Sequence, residues 1–535
     1  MCLAVKAHPS AIVVWLLSGS AVWSPPPTRG QIVVAIGQNF TASTLGTDSS
    51  SVPPDSNGAA GPLHFVEFVN GRFAVFDKSN GSRVKSMTDT AFWTQAGLTL
   101  PSGWDVTDPR IVYDPTVQRW FASQVDFEPT GVINTNHFLL AVSATPNPTG
   151  IWKAVSISGD PAGDDFADFP TLGLDAQAVY LSGDMFDPNS FPVGPTLVSI
   201  PKADLLADPP VTSGLTRFGV MRYQDRGDIL QPAICVDGSG QGEILAAASV
   251  GIGVNGDFVT NKSLVSFQVQ NAANSGGATL SSSDFLSVPP YTAPLNPTQP
   301  DGSDTLDDGD ARLSANVYEV HGVLYAVQGT QLNNQAVLRW YRIDAATHTV
   351  LESGTISDPV NDLFYPSIAA NAAGTVVVAF NGASISTFVS SFAVVGKTEN
   401  GITTFGSPLL LKAGVASYEN TGSDNTSRWG DYSATCVDPA DSNRFWTIQE
   451  FPSSASRWST QVTELVTGLP SLAFAVSANN LELSWTATSF TLETADNLAT
   501  PNWTAVTKNL STNSGVVSVA VPMTSIQGFF RLHQP

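Results

Sequence analysis

Charge is scarce in this chain. Only 13 % of its 535 residues are Asp, Glu, Lys or Arg, about half the usual share. The charge there is runs one way: 24 Lys and Arg stand against 46 Asp and Glu, a formal net charge of −22. A chain so acidic cannot hold a phosphate backbone by counterion release, so nucleic acid is excluded as a partner, and an anionic membrane surface is disfavoured for the same reason. Cysteine is rarer still. Cys2 sits in the leader, and Cys235 and Cys436 alone do not make a disulfide framework. No apolar run reaches the ~20 residues of a membrane span. Familiar catalytic signatures are also missing: no Gly-x-Ser-x-Gly elbow, no Walker loop, no His-Glu-x-x-His and no Cys-x-x-Cys. The histidines are dispersed, which argues against a zinc site.

What is abundant describes strands and turns. Hydrophobic residues make up 42 %, enough for a sizeable core, and 44 Gly and 36 Pro punctuate a chain rich in Ser, Thr, Asn and Val. Lys6 and His8 precede an apolar run over 11–17, followed by the small residues Gly19, Ser20 and Ala21. This is the layout of a secretory signal, so 1–30 is read as signal and leader. The protein is then expected to be exported, secreted or held at the cell surface, a monomer without membrane insertion after cleavage.

From residue 31 a weak unit recurs: a polar residue, often Pro, an alternating apolar stretch, then Asp or Asn, a gap and a second apolar run. Clear copies are Asp108-Pro-Arg-Ile-Val-Tyr-Asp114, Phe169-Pro-Thr-Leu-Gly-Leu-Asp175, Gln231-Pro-Ala-Ile-Cys-Val-Asp237 and Tyr365-Pro-Ser-Ile-Ala-Ala-Asn371. The anchors fall at 61, 114, 175, 237, 316, 371 and 438, about 63 residues apart on average. Period-2 alternation denotes strands. Four strands in each of seven copies predict an all-β chain, a seven-bladed β-propeller over 31–466. The β-rich stretch 31–36 is expected to complete the last blade and close the ring, removing an exposed edge. Cys235 and Cys436 fall on equivalent strands across the ring and are expected free and buried. Residues 467–471 read as a linker, and 472–535 as a small β-sandwich-like module.

Several motifs carry a resemblance: Val52-Pro-Pro-Asp-Ser-Asn-Gly58 with His64, Asp108-Pro-Arg with Tyr113-Asp-Pro, Phe166-Ala-Asp-Phe-Pro170, and above all Arg428-Trp-Gly-Asp-Tyr-Ser433 with Val437-Asp-Pro. Over roughly 50–466 the chain resembles a family of secreted bacterial seven-bladed β-propeller proteins. That likeness implies fold and export, and carries no settled activity. The tail, with Phe490-Thr-Leu-Glu, Asn502-Trp and Phe529-Phe-Arg-Leu, looks like the C-terminal module of secreted Verrucomicrobia- and Planctomycetes-type proteins.

The repeat also gathers chemistry. Asp55, Asp108 and Asp310 share one register, and Asp168 and Asp431 stand just before it. Innermost strands would bring these groups toward one end of the axial channel. Crowded carboxylates raise one another's pKa, which suits a general acid, so Asp108, Asp168, Asp310 and Asp431 are the catalytic candidates. Arg110, Arg312, Arg428, His64, Tyr365 and Tyr432 are the substrate-binding candidates, the arginines as carboxylate clamps. The competing use is structural: an Asp on each inner strand bonding the neighbouring backbone, with an Arg in a buried ion pair. In the loop after Pro300, Asp304, Asp307 and Asp308 could offer oxygens to calcium. The EF-hand spacing is absent, and a solvated acidic loop lying over one end of the ring is the alternative. No other cofactor is expected. Two functions remain open: a secreted propeller that binds glycans or other envelope components through one end, or a carbohydrate-active hydrolase or lyase using the axial carboxylates.

Overall fold

The computed structural model describes residues 2–8, 11–17, 34–131, 135–253, 255–302, 304–420, 425–468, 472–477, 480–486, 490–497, 501–513, 516–522 and 527–533. Parts of the expected leader, of the closing stretch (31–33) and of the linker (469–471) lie outside them. The chain is all-β apart from a few short helices, and it divides into two compact units. One is Asn39–Thr463; the other joins Met1–Gln38 to Glu464–Pro535.

The larger unit is a succession of antiparallel meanders. Asn57–Ala60, His64–Val69, Arg72–Asp77 and Arg83–Met87 form one sheet, and Asp105–Asp114 begins the next. A nine-stranded sheet joins the meander from Phe166–Leu174 to the one from Tyr318–Val320 through the two-residue strand Ile234–Cys235, parallel to both. Further sheets start at Asp228–Pro232, Asp362–Ala370 and Ala434–Val437. Each inner strand touches the next, and Ala434–Val437 returns to Asn57–Ala60, so the strands close a ring.

The core lies between sheets. Phe68, Phe73 and Trp93 of the first meander pack with Ile111, Trp120 and Leu139 of the second. Phe65, Val69 and Phe76 pack with Trp446 and Ile448 at the closure. Each fully buried side chain of this size contributes about 1.5–3 kcal/mol, so sheet-to-sheet burial holds the ring. Cys235 and Cys436 are free and buried. Each thiol sulfur accepts a backbone N–H, from Gly240 at 3.0 Å and from Ala60 at 3.2 Å respectively.

Val34–Thr44 pairs with Arg457–Thr467, supplying the outermost strand of the last sheet. Ser43 N–H donates to Thr460 Oγ1 at 3.0 Å, and Ser43 and Thr460 hydroxyls both donate to the buried Glu67 of the first sheet. Neighbouring sheets are also clasped at the rim. His348 Nε2 lies 3.0 Å from Glu243 and Nδ1 lies 2.7 Å from Asp284. Both nitrogens can donate only when the ring is protonated. The bond to Glu243 and the second to Asp284, against partial burial, raise its pKa from 6.5 to about 8. This contribution is complete below the unfolded value and lost as pH rises through about 8. The Tm gap between wild type and His348→Gln should therefore shrink between about pH 6 and 9; a gap constant with pH would refute the clasp.

The smaller unit is built separately. Its sheets are Ala473–Ser477 with Asn480–Thr486, Val516–Pro522 and Leu510–Asn513, and a second containing Thr491–Ala495 and Gln527–His533. Leu481, Leu483, Trp485, Leu492 and Val519 form its core.

Candidate functional site

One backbone feature recurs at the start of the inner strands. Asp55, Asp108, Phe169, Ile229 and Tyr365 all have positive φ, between 42° and 60°. At the last four the strand pairing slips, leaving an extra residue on the inner strand. Such bulges re-aim side chains, and left-handed non-glycine residues cluster where the fold over-determines them. Here the repeated bulge places Asp108 and Asp168 at one polar cavity.

That cavity has a volume of about 620 Å³, within the range of small-ligand sites. Eight carboxylates line it (Asp55, Asp105, Asp108, Asp168, Asp307, Asp308, Asp310 and Asp431) against two arginines, Arg312 and Arg428. Both arginines are already engaged. Arg312 forks onto Asp310 through Nε at 2.7 Å and Nη2 at 2.5 Å. Arg428 meets Asp431 at 2.6 and 2.8 Å and Asp307 at 2.7 Å. Asp431 thus sits at the end of the last inner strand, held by the arginine three residues before it. Gly430 precedes it because a Cβ there would come within 2.7 Å of Glu450 Oε2; its φ is not positive, so close approach is what requires glycine.

The remaining carboxylates differ in use. Asp55 is structural in part: its Oδ1 accepts Asp431 N–H at 3.0 Å and its Oδ2 accepts Asn70 Nδ2 at 2.7 Å. Burial, then Asp431 and Asp108, push its pKa well up. Asp108 Oδ1 accepts the Thr107 hydroxyl at 2.8 Å. Burial, reinforced by Asp168 and Asp431, raises Asp108 to about 7. Burial likewise raises Asp168. Among the described residues no arginine forms an ion pair with Asp108 or Asp168, although Arg110 acts on the first and Arg312 and Arg428 on the second from a distance.

Other candidates lie elsewhere. Arg110 is fully buried below the cavity, its Nε donating to Pro170 O at 3.0 Å and its Nη1 to Ser314 O at 3.1 Å. It lies 3.4 Å over the Tyr432 ring, and Tyr432 Oη donates to Pro109 O. Both are buried, and neither lines the cavity. His64 is not brought to the site: it opens the second strand opposite Asp77, beyond the far end of the inner strand that Asp55 precedes. Tyr365 does line the cavity. Of the calcium candidates, Asp304 accepts from Ser427, Asp307 pairs with Arg428, and Asp308 is buried at the cavity wall. Among the described residues no group of three or more His, Cys, Asp or Glu is placed to hold a metal. The acidic loop is anchored as well as solvated, because Thr305–Leu306 pairs in parallel with Thr426–Ser427, just before Arg428.

Besides Asp105 in the lining, two carboxylates beside the site were missed by sequence reasoning. Asp184 stands opposite Asp168 and accepts Tyr223 Oη at 2.6 Å; burial raises it to about 6. Asp228 accepts Val250 N–H at 3.1 Å, and burial with Asp184 nearby raises it to about 7. The detectable signal for Asp228 was its place one residue before a bulge, like Asp168.

No protein-family model and no curated protein matches the chain. Among solved structures, a protein of unknown function from Dyadobacter fermentans is similar at 11 % identity and TM-score 0.33, covering 69 % of this chain and 97 % of that one. A family-43 endo-arabinanase from Bacillus licheniformis is similar at 12 % identity and TM-score 0.30, covering 67 % and 99 %. Trypanosoma rangeli sialidase is similar at 12 % and 0.33, covering 77 % and 58 %. At such values the likeness extends to neither residues nor chemistry; what the chain itself presents is an all-β ring with a carboxylate-rich cavity.

Proposed function

We propose that the larger unit is a seven-bladed β-propeller, the nine-stranded sheet counting as two blades, and that its cavity hydrolyses glycosidic bonds. The protein would be exported, belong to the secreted bacterial propellers it resembles, and carry residues 472–535 as a separate C-terminal module. The observation that carries this reading is the contrast between Asp108 and Asp431 in one cavity. Burial raises the pKa of Asp108 to about 7 against the pull of the buried Arg110, and among the described residues no arginine forms an ion pair with it. Asp431 is held in an ion pair by Arg428 at 2.6 Å. Environments that set two carboxyl groups apart in this way are the arrangement of an acid–base pair. Asp108 would protonate the glycosidic oxygen as the C–O bond breaks. Asp431 would take the proton of the attacking water or attack the sugar itself.

The charge of the lining selects among substrates. Eight carboxylates against two engaged arginines repel a uronate, so hydrolysis of an uncharged or amine-bearing glycan is favoured over polysaccharide lyase chemistry. The second reading, a propeller that binds glycans or envelope components without cutting them, is favoured by Asp55, whose carboxylate serves the backbone of the adjoining sheet.

The test is a panel of neutral, amino and uronate polysaccharides given to the purified protein, with a pH profile on any substrate found. Turnover should fall as pH rises through about 7, because Asp108 then loses its proton. Binding without turnover across the panel would select the second reading. Product anomers followed by NMR would distinguish retention from inversion.

A further inference from the structure

Among the carboxylates that line the cavity, Asp308 is singular within the described residues: its Oδ2 is buried and has no hydrogen-bond partner. The residue is 3 % exposed. Tyr365 lines the same cavity, is 6 % exposed, and its Oη is also buried without a partner. Leaving such groups unpaired is costly, and orphaned polar atoms in a native fold call for an explanation. Glycines stand on either side of them. A Cβ on Gly309, already at φ +61, would come within 3.3 Å of Tyr365 Oη, and one on Gly329 within 3.9 Å of Asp308 Oδ1. A side chain at Gly309 would press on Tyr365 Oη and be strained at that φ, whereas one at Gly329 would make only ordinary contact.

The charges around Asp308 indicate what fits there. Its pKa is pushed well up by burial and then by Asp307, Asp362 and Asp310, with no opposing cation. Asp307 and Asp310 each have an arginine; Asp308 has none. A hydroxyl would satisfy one lone pair. A ligand ammonium would also supply the missing countercharge, and charge-assisted hydrogen bonds are roughly twice as strong as neutral ones.

We propose that Asp308 and Tyr365 form an amine-recognition corner of the cavity, and that the glycan taken there carries a free amino group. The inference rests on the glycan-processing reading and names its substrate class. Asp308 holds the ammonium, Tyr365 Oη accepts a second of its protons, and both are binding residues.

The test is calorimetry at about pH 6 with three disaccharides of like linkage: glucosamine-based, its N-acetylated form, and the neutral glucose form. The amine should bind about tenfold more tightly than either of the others, as a charged hydrogen bond implies. That preference should fade at higher pH as the ligand amine deprotonates. Asp308→Asn should reduce the ratio of amine to neutral affinity to about twofold or less; Tyr365→Phe should reduce that ratio less. Should either variant fail to fold, the wild-type comparison and its pH dependence decide alone. Equal or tighter binding of the neutral disaccharide overturns the amine corner and leaves the hydrolase standing. Absence of binding by all three, with no turnover in the panel, overturns both.

Discussion

Asp108→Asn is expected to abolish hydrolysis while leaving the fold intact. Asparagine keeps the size of the side chain and an oxygen for the Thr107 hydroxyl. It removes one carboxyl from a group in which neighbouring carboxylates raise Asp55, Asp108 and Asp168, so stability should hold or rise slightly. What is lost is the proton. General acid catalysis contributes about 10²–10⁴-fold, and kcat/KM should fall by that much on substrates whose leaving group needs protonation. Aryl glycosides with a good leaving group should lose far less. A uniform loss across leaving groups would mean that Asp108 only shapes the cavity, and wild-type turnover would end its role as acid.

The largest stability effect is expected away from the site. Lys202 Nζ lies 2.6 Å from Asp114 Oδ2, with the two side chains 4 % and 0 % exposed. The pair ties the second meander to the third, for Asp114 ends an inner strand and Lys202 follows the strand Pro192–Pro201. Replacing Lys202 by Met keeps the volume and strands a buried carboxylate. Breaking one side of such a pair costs about 3–5 kcal/mol, whereas replacing both partners together is often neutral. Lys202→Met should lower Tm strongly in a thermal melt, and adding Asp114→Asn should recover much of the loss. Equal melting of the single variant and wild type would mean that water reaches the pair.

How much of this could be read in advance depended on the element. The ring was legible because one alternating strand unit, as at Asp108–Asp114 and Tyr365–Asn371, recurs about every 63 residues along the chain. The convergence of Asp108, Asp168, Asp310 and Asp431 followed from counting back from each anchor. Counting failed where the chain is irregular. In the fourth copy the inner strand is interrupted between Pro232 and Ile234, so the anchor at Asp237 lies farther from the bulge and Asp228 fell out of register. Asp184 lies on a second strand, which the count did not consult. His64 was drawn in by its nearness in sequence to Asp55, yet the intervening strand carries it the length of the sheet. Arg110 and Arg312 looked equivalent, but one is buried beneath Tyr432 and the other lines the cavity. That division depends on strand pitch at the bulge, which residue types do not encode.

The clasp between Ser43 and Thr460 spans 417 residues of chain. Thr460 leaves the ribosome 417 residues after Ser43. The entropic toll of joining ends grows only logarithmically with the loop between them, but search times lengthen as contacts become non-local. Until the final sheet is made, Asn39–Thr44 has an unsatisfied edge, the kind that pairs with the wrong chain. Refolding from denaturant should therefore show its slowest step at closure, and the yield should fall with protein concentration as open rings meet one another.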